Sequence, residues 1–364
     1  MKNGLKIKHL KIITLIIVIQ LLPSNIFAGI FPSFNYSKGP LLGKNTYAPF
    51  LIYFNNMNEP AQSGKRHDFE MRLATYYTQD FAASYVDFYH YLEYGRYYNT
   101  NHVLRDYESC MNEVTITYNP IDNLTIGTNI RLITYYGGFL DFFIEGFHHA
   151  FGFPGGARDF FITNRVFVNI VNDNGVRLAL NKDAVSFGDI DLWTRYTFLD
   201  IKHIKLAGFF AFKIPTGDPA KLSGSGYPDI SFAVLCDLIN LSLFSFYFNA
   251  GIVIPFDSFI STAKSRPYPM FNGLIAIEIH PTKHFSLIGQ LIIKSLPFKA
   301  YLPFSWDIEI NYYDLPQINL LVGFKVAFKG HTWQFYFEED TFTNQGADIV
   351  FNLTYGYKFN TRGF

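Results

Sequence analysis

The sequence has few of the features that mark several common protein classes. Only two of its 364 residues are cysteines, Cys110 and Cys236, and two thiols define no disulfide framework. The 30 basic and 30 acidic side chains cancel, so no positive excess indicates a nucleic-acid partner. After residue 28, no apolar run approaches the roughly 20 residues of a membrane-spanning helix. We therefore expect neither a nucleic-acid-binding protein nor a helical membrane protein, and the cysteines either pair or remain free.

Aromatic residues, in contrast, are abundant. The chain contains 40 Phe and 25 Tyr, and aromatics make up 19% of it. Such rings are typical of side chains at a lipid–water boundary. A membrane protein without spanning helices must be a closed barrel, because only helices and barrels satisfy every backbone group within lipid.

Residues 1–28 have the composition of a secretory signal peptide. Four lysines among the first eleven residues precede an apolar run over 12–22, and the segment ends at the small residue Ala28. The run is too short for a membrane anchor. We predict cleavage near Ala28, which leaves residues 29–364 as the mature protein, with 29–45 as a short periplasmic lead.

The mature chain alternates apolar and polar residues over many segments. Phe69, Met71 and Leu73, for example, alternate with Glu70 and Arg72. A half-buried sheet in water gives the same period of two, but the signal peptide and the aromatic excess favour the membrane. The pattern predicts an all-β fold, a transmembrane antiparallel up-and-down β-barrel of about 16 strands, with 14 also compatible. An even count requires that 305–313 belong to an external excursion over about 297–316.

The expected inward-facing charges of this barrel are of both signs. Without a ring of one sign, we predict no strong ion selectivity, and mixed pairs would also hold a lumen closed. These residues are Glu70, Arg72, Arg131, Asp189, Asp191, Arg195, Asp307, Glu309, Lys325, Glu338 and Lys358.

The segment 137–162 interrupts the alternation with a helical period. We interpret it as a plug-like insertion at the external mouth or in the lumen, with a wet polar side and a packed Phe side. The alternatives are a divalent metal site such as zinc and an acid–base site, but we expect no metal and no cofactor. The candidate ligand or plug residues are Asp141, Glu145, His148, His149, Arg158 and Asp159.

The last predicted strand ends in a polar-x-Gly-aromatic-x-aromatic pattern. Thr354, Gly356, Tyr357 and Phe359 have the form of the motif read by the outer-membrane assembly machinery. We therefore expect the outer membrane as location, with its lipid bilayer and that machinery as partners.

Several short motifs together resemble one family. They are Gly39-Pro40-Leu41, Asn45, Pro49, Gly137-Gly138-Phe139-Leu140-Asp141, Phe147-His148, Phe151-Gly152, Pro154, Arg158-Asp159, Gly188-Asp189-Ile190, Pro215-Thr216-Gly217 and Glu338-Glu339-Asp340. This combination is similar to the domain-of-unknown-function 3187 family, which is regarded as Gram-negative outer-membrane β-barrel proteins. More loosely, the Pro-Thr-Gly loop and the late acidic residues resemble outer-membrane barrels associated with uptake of aromatic compounds. The resemblance implies location and architecture, and it singles out Asp141, His148, Arg158 and Asp159 without a role.

Three functions are compatible with these observations. The leading hypothesis is a porin-like channel for small molecules, with hydrophobic ones among the candidates. The alternative is a non-conducting barrel that binds a ligand or has a structural role. An outer-membrane lipid-modifying enzyme is the weakest, because no Ser stands in a recognisable nucleophile setting near the histidines. The sequence does not specify the solute.

Overall fold

The computed structural model describes residues 37–48, 50–54, 58–82, 102–151, 164–172, 175–262, 266–297, 316–340 and 347–361. The predicted signal peptide, Arg158, Asp159 and residues 305–313 of the predicted external excursion lie outside these residues. The strands are β1 (Asp68–Ala82), β2 (His102–Ile121), β3 (Leu124–Tyr136), β4 (Phe167–Asn172), β5 (Gly175–Leu180), β6 (Ala184–Phe187), β7 (Ile190–Asp200), β8 (Ile204–Ile214), β9 (Asp229–Leu241), β10 (Phe244–Pro255), β11 (Met270–Ile279), β12 (Phe285–Lys294), β13 (Gln317–Phe328), β14 (His331–Glu339) and β15 (Ile349–Asn360). One helix, α1 (Leu140–Phe151), and two 3-10 turns, Phe50–Ile52 and Pro219–Lys221, complete the described elements.

Twelve of the strands form a closed antiparallel barrel. The ring runs β1, β2, β3, then β7 through β15, and β15 pairs back onto β1 from Asp68↔Asn360 to Gln79↔Ile349. The remaining three strands extend the wall beyond the ring, because β4 pairs with the first residues of β2, β5 pairs with β4, and β6 pairs with the last residues of β3. The predicted barrel is confirmed, but the predicted count of 16 strands, or 14, is not, because β4, β5 and β6 alternate like spanning strands without belonging to the closed ring.

The two ends of the barrel differ in their connections. At one end, which we call the short-turn end, tight turns join β2 to β3, β7 to β8, β9 to β10, β11 to β12 and β13 to β14. Asn123 and Gly330 take positive φ in two of these turns, a conformation that Asn and Gly tolerate best. β1 begins and β15 ends at the same end. The opposite, long-loop end carries the longer links.

The two faces of the wall differ in polarity in the way that suits a membrane. On β9, Asp229, Ser231 and Asp237 are buried on the inner face, whereas Phe232 and Val234 are 47% and 55% exposed on the outer face. This pattern is the reverse of a soluble sandwich, in which apolar side chains turn inward. A closed ladder with an apolar exterior satisfies the backbone and the side chains only when lipid surrounds it.

The lumen is occupied by the chain that precedes β1. This lumen segment, residues 37–66, is described apart from residues 49 and 55–57. It rises from the short-turn end, turns at Phe50–Ile52 near the long-loop end, and descends to β1. The prediction of a periplasmic lead over 29–45 is therefore wrong for residues 37–45, which lie inside the barrel. Twelve strands enclose more space than wall side chains fill, since eight already give a fully packed interior.

Helix α1 follows β3 at the long-loop end. Within the described part of the chain, no helix is long and apolar enough to cross a bilayer.

Candidate functional site

The rising arm of the lumen segment is held by wall side chains that bind its backbone. The Lys38 N–H donates to both carboxylate oxygens of Glu278, at 3.0 and 3.1 Å. The Leu41 N–H donates to Gln290 Oε1 at 2.9 Å, and the Leu42 N–H donates to Gln334 Oε1 at 3.1 Å. The wall thus supplies polar side chains in place of the strand partners that this extended backbone lacks.

The descending arm is held by a carboxylate between two arginines. Glu59 Oε1 lies 2.6 Å from Arg72 on β1, and its Oε2 lies 3.1 Å from Arg195 on β7. Burial acts to raise the pKa of Glu59, but the charges of Arg72 and Arg195 outweigh burial and lower this pKa to about 2. Glu59 therefore links two separate parts of the wall in its charged form.

The apex of the lumen segment is attached through Lys213 on β8. The Lys213 ammonium lies 3.0 Å from both Asp189 and Asp229, and it donates to the Ile52 carbonyl at 2.6 Å and to Ser225 Oγ at 2.7 Å. Lys213 is fully buried. Two carboxylates and two neutral acceptors around one ammonium satisfy the buried charge that a membrane barrel would otherwise disfavour.

Two motifs of the resemblance meet beside this lysine. The Asp189 carboxylate accepts hydrogen bonds from the Gly217 N–H at 2.8 Å and the Ser225 N–H at 3.3 Å. Thr216 Oγ1 donates to the Gly188 carbonyl at 3.1 Å. The Gly-Asp and Pro-Thr-Gly motifs therefore fold the loop 215–226 over the barrel mouth, where a Cβ at Gly217 would lie 2.4 Å from the Ser223 carbonyl oxygen.

The apex also packs apolar and aromatic side chains inside the barrel. The Tyr47 ring lies under the Arg105 guanidinium at 5.2 Å, and its hydroxyl donates to Gln317 Oε1 at 2.9 Å. Burial raises the pKa of Tyr47 well above its ordinary value. At most 6% of each remaining apex residue is exposed: Ala48, Leu51, Ile52, Tyr53 and Phe54. Leu41 and Ala61, which lie closer to the short-turn end, are also fully buried. The lumen segment is thus fixed by apolar packing at its apex and largely by polar contacts below it.

A polar cavity of about 350 Å³ remains at the short-turn end of the lumen. It lies between the two arms of the lumen segment and the wall, next to the Glu59 pairs. Its charged lining residues are Lys38, Glu59, Asp68, Glu70, Arg72, Arg195, Asp237, Lys325 and Lys358. The lining carries both signs, as the sequence predicted for the inner face, and Arg131 likewise pairs with Asp191 at 2.9 Å.

The predicted residues of 137–162 are placed on or near the outer face of the wall. Asp141 is buried, and its carboxylate accepts from Gln79 Nε2 at 3.1 Å and from the Asn164 N–H at 2.7 Å. His149 is exposed on α1, and the side chains of Glu145 and His148 lie outside the described residues, as do Arg158 and Asp159. In the described part of the chain, no group of three His, Cys, Asp or Glu residues is arranged to hold a metal ion. The ligand and plug roles stay predictions.

The predicted assembly residues lie on both faces of β15. Tyr357 and Phe359 point outward and lie 5.6 Å apart between ring centroids, whereas Thr354 is buried on the inner face. Gly356 also faces inward, where a Cβ would come within 3.2 Å of Arg72 Cγ. The glycine therefore has a local reason as well, because it leaves room for the arginine that reaches Glu59.

The two cysteines are both free. They occupy outward positions on β2 and β9, so the open choice between a disulfide and free thiols is decided for free thiols.

Sequence reasoning found the wall charges Arg72, Asp189 and Arg195 but missed Glu59 and Lys213. Lys213 occupies the inner period of β8, and that signal could have identified it. Glu59 lies in a segment without periodicity, so no local sequence pattern indicated that it pairs with Arg72 and Arg195.

Comparisons with known proteins agree with this architecture. The family described as protein of unknown function (DUF3187) matches residues 65–359. No functionally curated protein matches the chain in sequence. The COG4313 outer membrane channel from Pseudomonas putida F1 has a TM-score of 0.51 at 12% identity, over 82% of this chain and 98% of that chain. At this identity the likeness shows the fold alone.

Two further channels have lower scores. The KdgM porin has a TM-score of 0.39 at 6% identity, over 80% of this chain and 99% of that chain. The Pseudomonas putida toluene transporter TodX has a TM-score of 0.34 at 10% identity, over 82% of this chain and 90% of that chain. Both are too distant in structure to support a statement about this chain.

Proposed function

The chain belongs to the DUF3187 family of unknown function, and we propose that it is an outer-membrane channel for small molecules, held closed by its own lumen segment. Opening requires the lumen segment to shift within the barrel or to leave it. The short-turn end faces the periplasm and the long-loop end faces outward, the arrangement of bacterial barrels with periplasmic termini.

The observation that carries this proposal is the polar attachment of the lumen segment below its apex. A purely structural filler would be expected to pack the lumen with apolar side chains and few voids. Here the lower part is held by Glu278, Gln290, Gln334 and the Glu59 pairs. A cavity of about 350 Å³ remains beside it, and Glu59 and Gln334 contribute to its lining. Polar contacts exchange with water at little net cost, so this part of the lumen can hydrate without disrupting the wall.

The lining supports small polar solutes rather than strongly hydrophobic ones. Both cationic and anionic side chains line the cavity, so the described lining residues are not of a single sign. Such a lining gives weak charge selectivity. A hydrophobic solute would have to displace hydrated charges without replacing their hydrogen bonds.

A non-conducting barrel is the second candidate, and the apex favours it. Leu51, Ile52 and Tyr53 are almost completely buried. Each such side chain contributes about 1.5–3 kcal/mol on burial, so complete exit of the lumen segment is costly. The described positions of the predicted residues do not support a lipid-modifying enzyme. An assay of phospholipid turnover in the variant His148→Ala/His149→Ala tests this function.

Single-channel conductance in planar bilayers distinguishes a channel from a non-conducting barrel. We expect the refolded mature protein to show rare, brief openings. Glu59→Gln combined with Lys213→Met weakens both attachments and should raise the open probability at least about tenfold, the factor that 1.4 kcal/mol represents.

The matched control is Glu70→Gln combined with Lys358→Met. Glu70 is 31% exposed and Lys358 46% exposed in their ion pairs, so both sit at the wet rim of the same cavity. Control and wild type should conduct alike. If neither the double variant nor wild type conducts, although the proteins are folded, the channel is refuted in favour of the non-conducting barrel.

A further inference from the structure

Helix α1 begins on the outside of the barrel, above the strands that face lipid. The N–H of Phe139, just before the helix, donates to the Glu108 carboxylate at 2.6 Å, and the N–H of Leu140, the first helical residue, donates to the same carboxylate. Glu108 occupies an outward position of β2, next to the outward Tyr77 hydroxyl that also donates to it. Gly138, at φ +69°, allows this approach, because a Cβ there would overlap the Glu108 carboxylate.

The side of α1 that packs on the wall is partly polar. Leu140, Asp141 and Ile144 are buried there, and Asp141 binds Gln79, which also occupies an outward position, on β1. A helix on a water-exposed barrel rim would be expected to turn its aromatic side inward.

The opposite side of α1 is aromatic and exposed. Phe139, Phe142 and Phe143 are 66%, 83% and 56% exposed. The same stripe continues one turn later at Gly146, where a Cβ would find open space, and then at His149. A helix in contact with water would bury its aromatic side and expose its polar side. Helix α1 does the reverse, which suits contact with lipid.

The height of α1 on the wall agrees with this inversion. Along β1, the outward residues run from Phe69 at the short-turn end through Met71, Leu73, Thr75 and Tyr77 to Gln79 beneath α1. The ten residue steps from Phe69 to Gln79 span about 25 Å along the barrel axis, at about 3.3 Å per residue and a tilt of about 40°. An apolar band of outer-membrane barrels is also about 25 Å tall. The helix therefore lies at the upper edge of the band.

We propose that α1 is an interfacial membrane helix, which inserts Phe139, Phe142 and Phe143 into the boundary between headgroups and acyl chains of the outer leaflet. The apolar stripe is continuous with the lipid-facing surface of β1–β3, and the partner is the lipid surface itself. The carboxylate of Glu108 and the Asp141–Gln79 contact fix the helix at this height. The proposal is independent of whether the barrel conducts.

Depth-dependent fluorescence quenching tests this placement. Trp193, Trp306 and Trp333 are replaced by Phe, and Phe142→Trp is refolded into vesicles of phosphatidylcholine brominated at acyl carbons 6,7 or 11,12. We expect blue-shifted emission, at least about twofold quenching, and stronger quenching by the shallower bromines, because interfacial helices insert only about 5–10 Å. Lys202→Trp, in an exposed turn at the short-turn end, is the control and should stay unquenched.

Quenching no greater than that of the control overturns the proposal. So does blue-shifted emission without quenching, since it would place Phe142 against protein, for example a second copy. If the Trp-free background fails to fold, bimane attached to Phe142→Cys, with Cys110 and Cys236 changed to Ser, gives the same readout.

Discussion

At the scale of single residues, the Lys213 ammonium contacts four separate parts of the molecule. No local sequence pattern around Lys213 predicts these contacts. It contacts Asp189, just before β7, and Asp229 on β9, the lumen segment through Ile52, and the loop 215–226 through Ser225. A charge buried so fully is stabilising only as part of its set, because each partner left alone would be an uncompensated buried group. The position of the lumen-segment apex and that of the loop 215–226 therefore depend on the same side chain.

Replacing this lysine should destabilise the folded barrel. In Lys213→Met, Asp189 and Asp229 face each other without a cation, and removal of one partner of a buried ion pair costs about 3–5 kcal/mol. The midpoint of guanidinium unfolding of the refolded protein in detergent measures this loss. Lys358→Met is the matched control, because Lys358 is 46% exposed beside Asp68 and surface pairs contribute about 0–1 kcal/mol. Equal midpoints for the two variants would show that the Lys213 contacts are not coupled to stability.

At the scale of elements, the lumen segment should respond to acid. A carboxyl whose pKa is lower in the folded state contributes stability above its unfolded pKa, and this stability is lost as the pH falls through the folded pKa. For Glu59, whose pKa falls from 4.5 to about 2, the window is pH 4.5 to about 2. The rate of hydrogen exchange of residues 58–66, corrected for intrinsic rates, should therefore increase progressively as the pH falls from 4.5 to about 2.

The variant Glu59→Gln separates this carboxylate from other acid effects. It should exchange rapidly at pH 7 and change little between pH 4.5 and pH 2, whereas Glu70→Gln should keep the wild-type profile. A wild-type profile in Glu59→Gln would attribute the acid response to other groups.

The same element explains why sequence reasoning missed the part of the chain that occupies the lumen. Period two identified the strands because it reports a face, and helical period identified α1. The lumen segment has neither period, since Gly39, Pro40 and Pro60 interrupt it and its partners stand far away in sequence, as Lys38 and Glu278 do. Only the apolar run 50–54 hinted at burial, and a run this short is equally compatible with an edge strand.

Helix α1 shows the complementary limit. Its existence followed from the spacing of its residues, but spacing gives two sides without saying which one faces protein. Glu108, which binds the first turn from 31 residues earlier in the chain, decides that question. The choice between mouth and outer wall was therefore beyond local pattern.

At the scale of the whole molecule, the alternation, the aromatic excess, the signal-like N-terminal segment and the final strand together predicted a closed barrel. They did not predict its number of strands. Closure depends on which segments pair, and β4, β5 and β6 alternate like wall strands although they extend only one rim. The ring of 12 strands satisfies its backbone through its own ladder and needs no hydrogen bond from the lumen segment for that purpose. Wall and lumen segment are thus separable in principle.

Deletion of residues 37–63 tests this separability. The turn before β1 is retained, in which the Asp68 N–H donates to the Lys65 carbonyl at 3.0 Å and the His67 N–H donates to the Asn119 carbonyl at 2.7 Å. We expect the barrel to fold and to keep its heat-dependent shift on a gel, because the ladder is intact. The shift should occur at a lower temperature, since the packing of Leu51 and Ile52 is lost, at about 1.5–3 kcal/mol for each side chain.

Water should replace the lost polar partners, and the lumen should conduct steadily. Loss of the heat-dependent shift would mean that the lumen segment is required for closure, and the wall and its occupant would then form one cooperative unit.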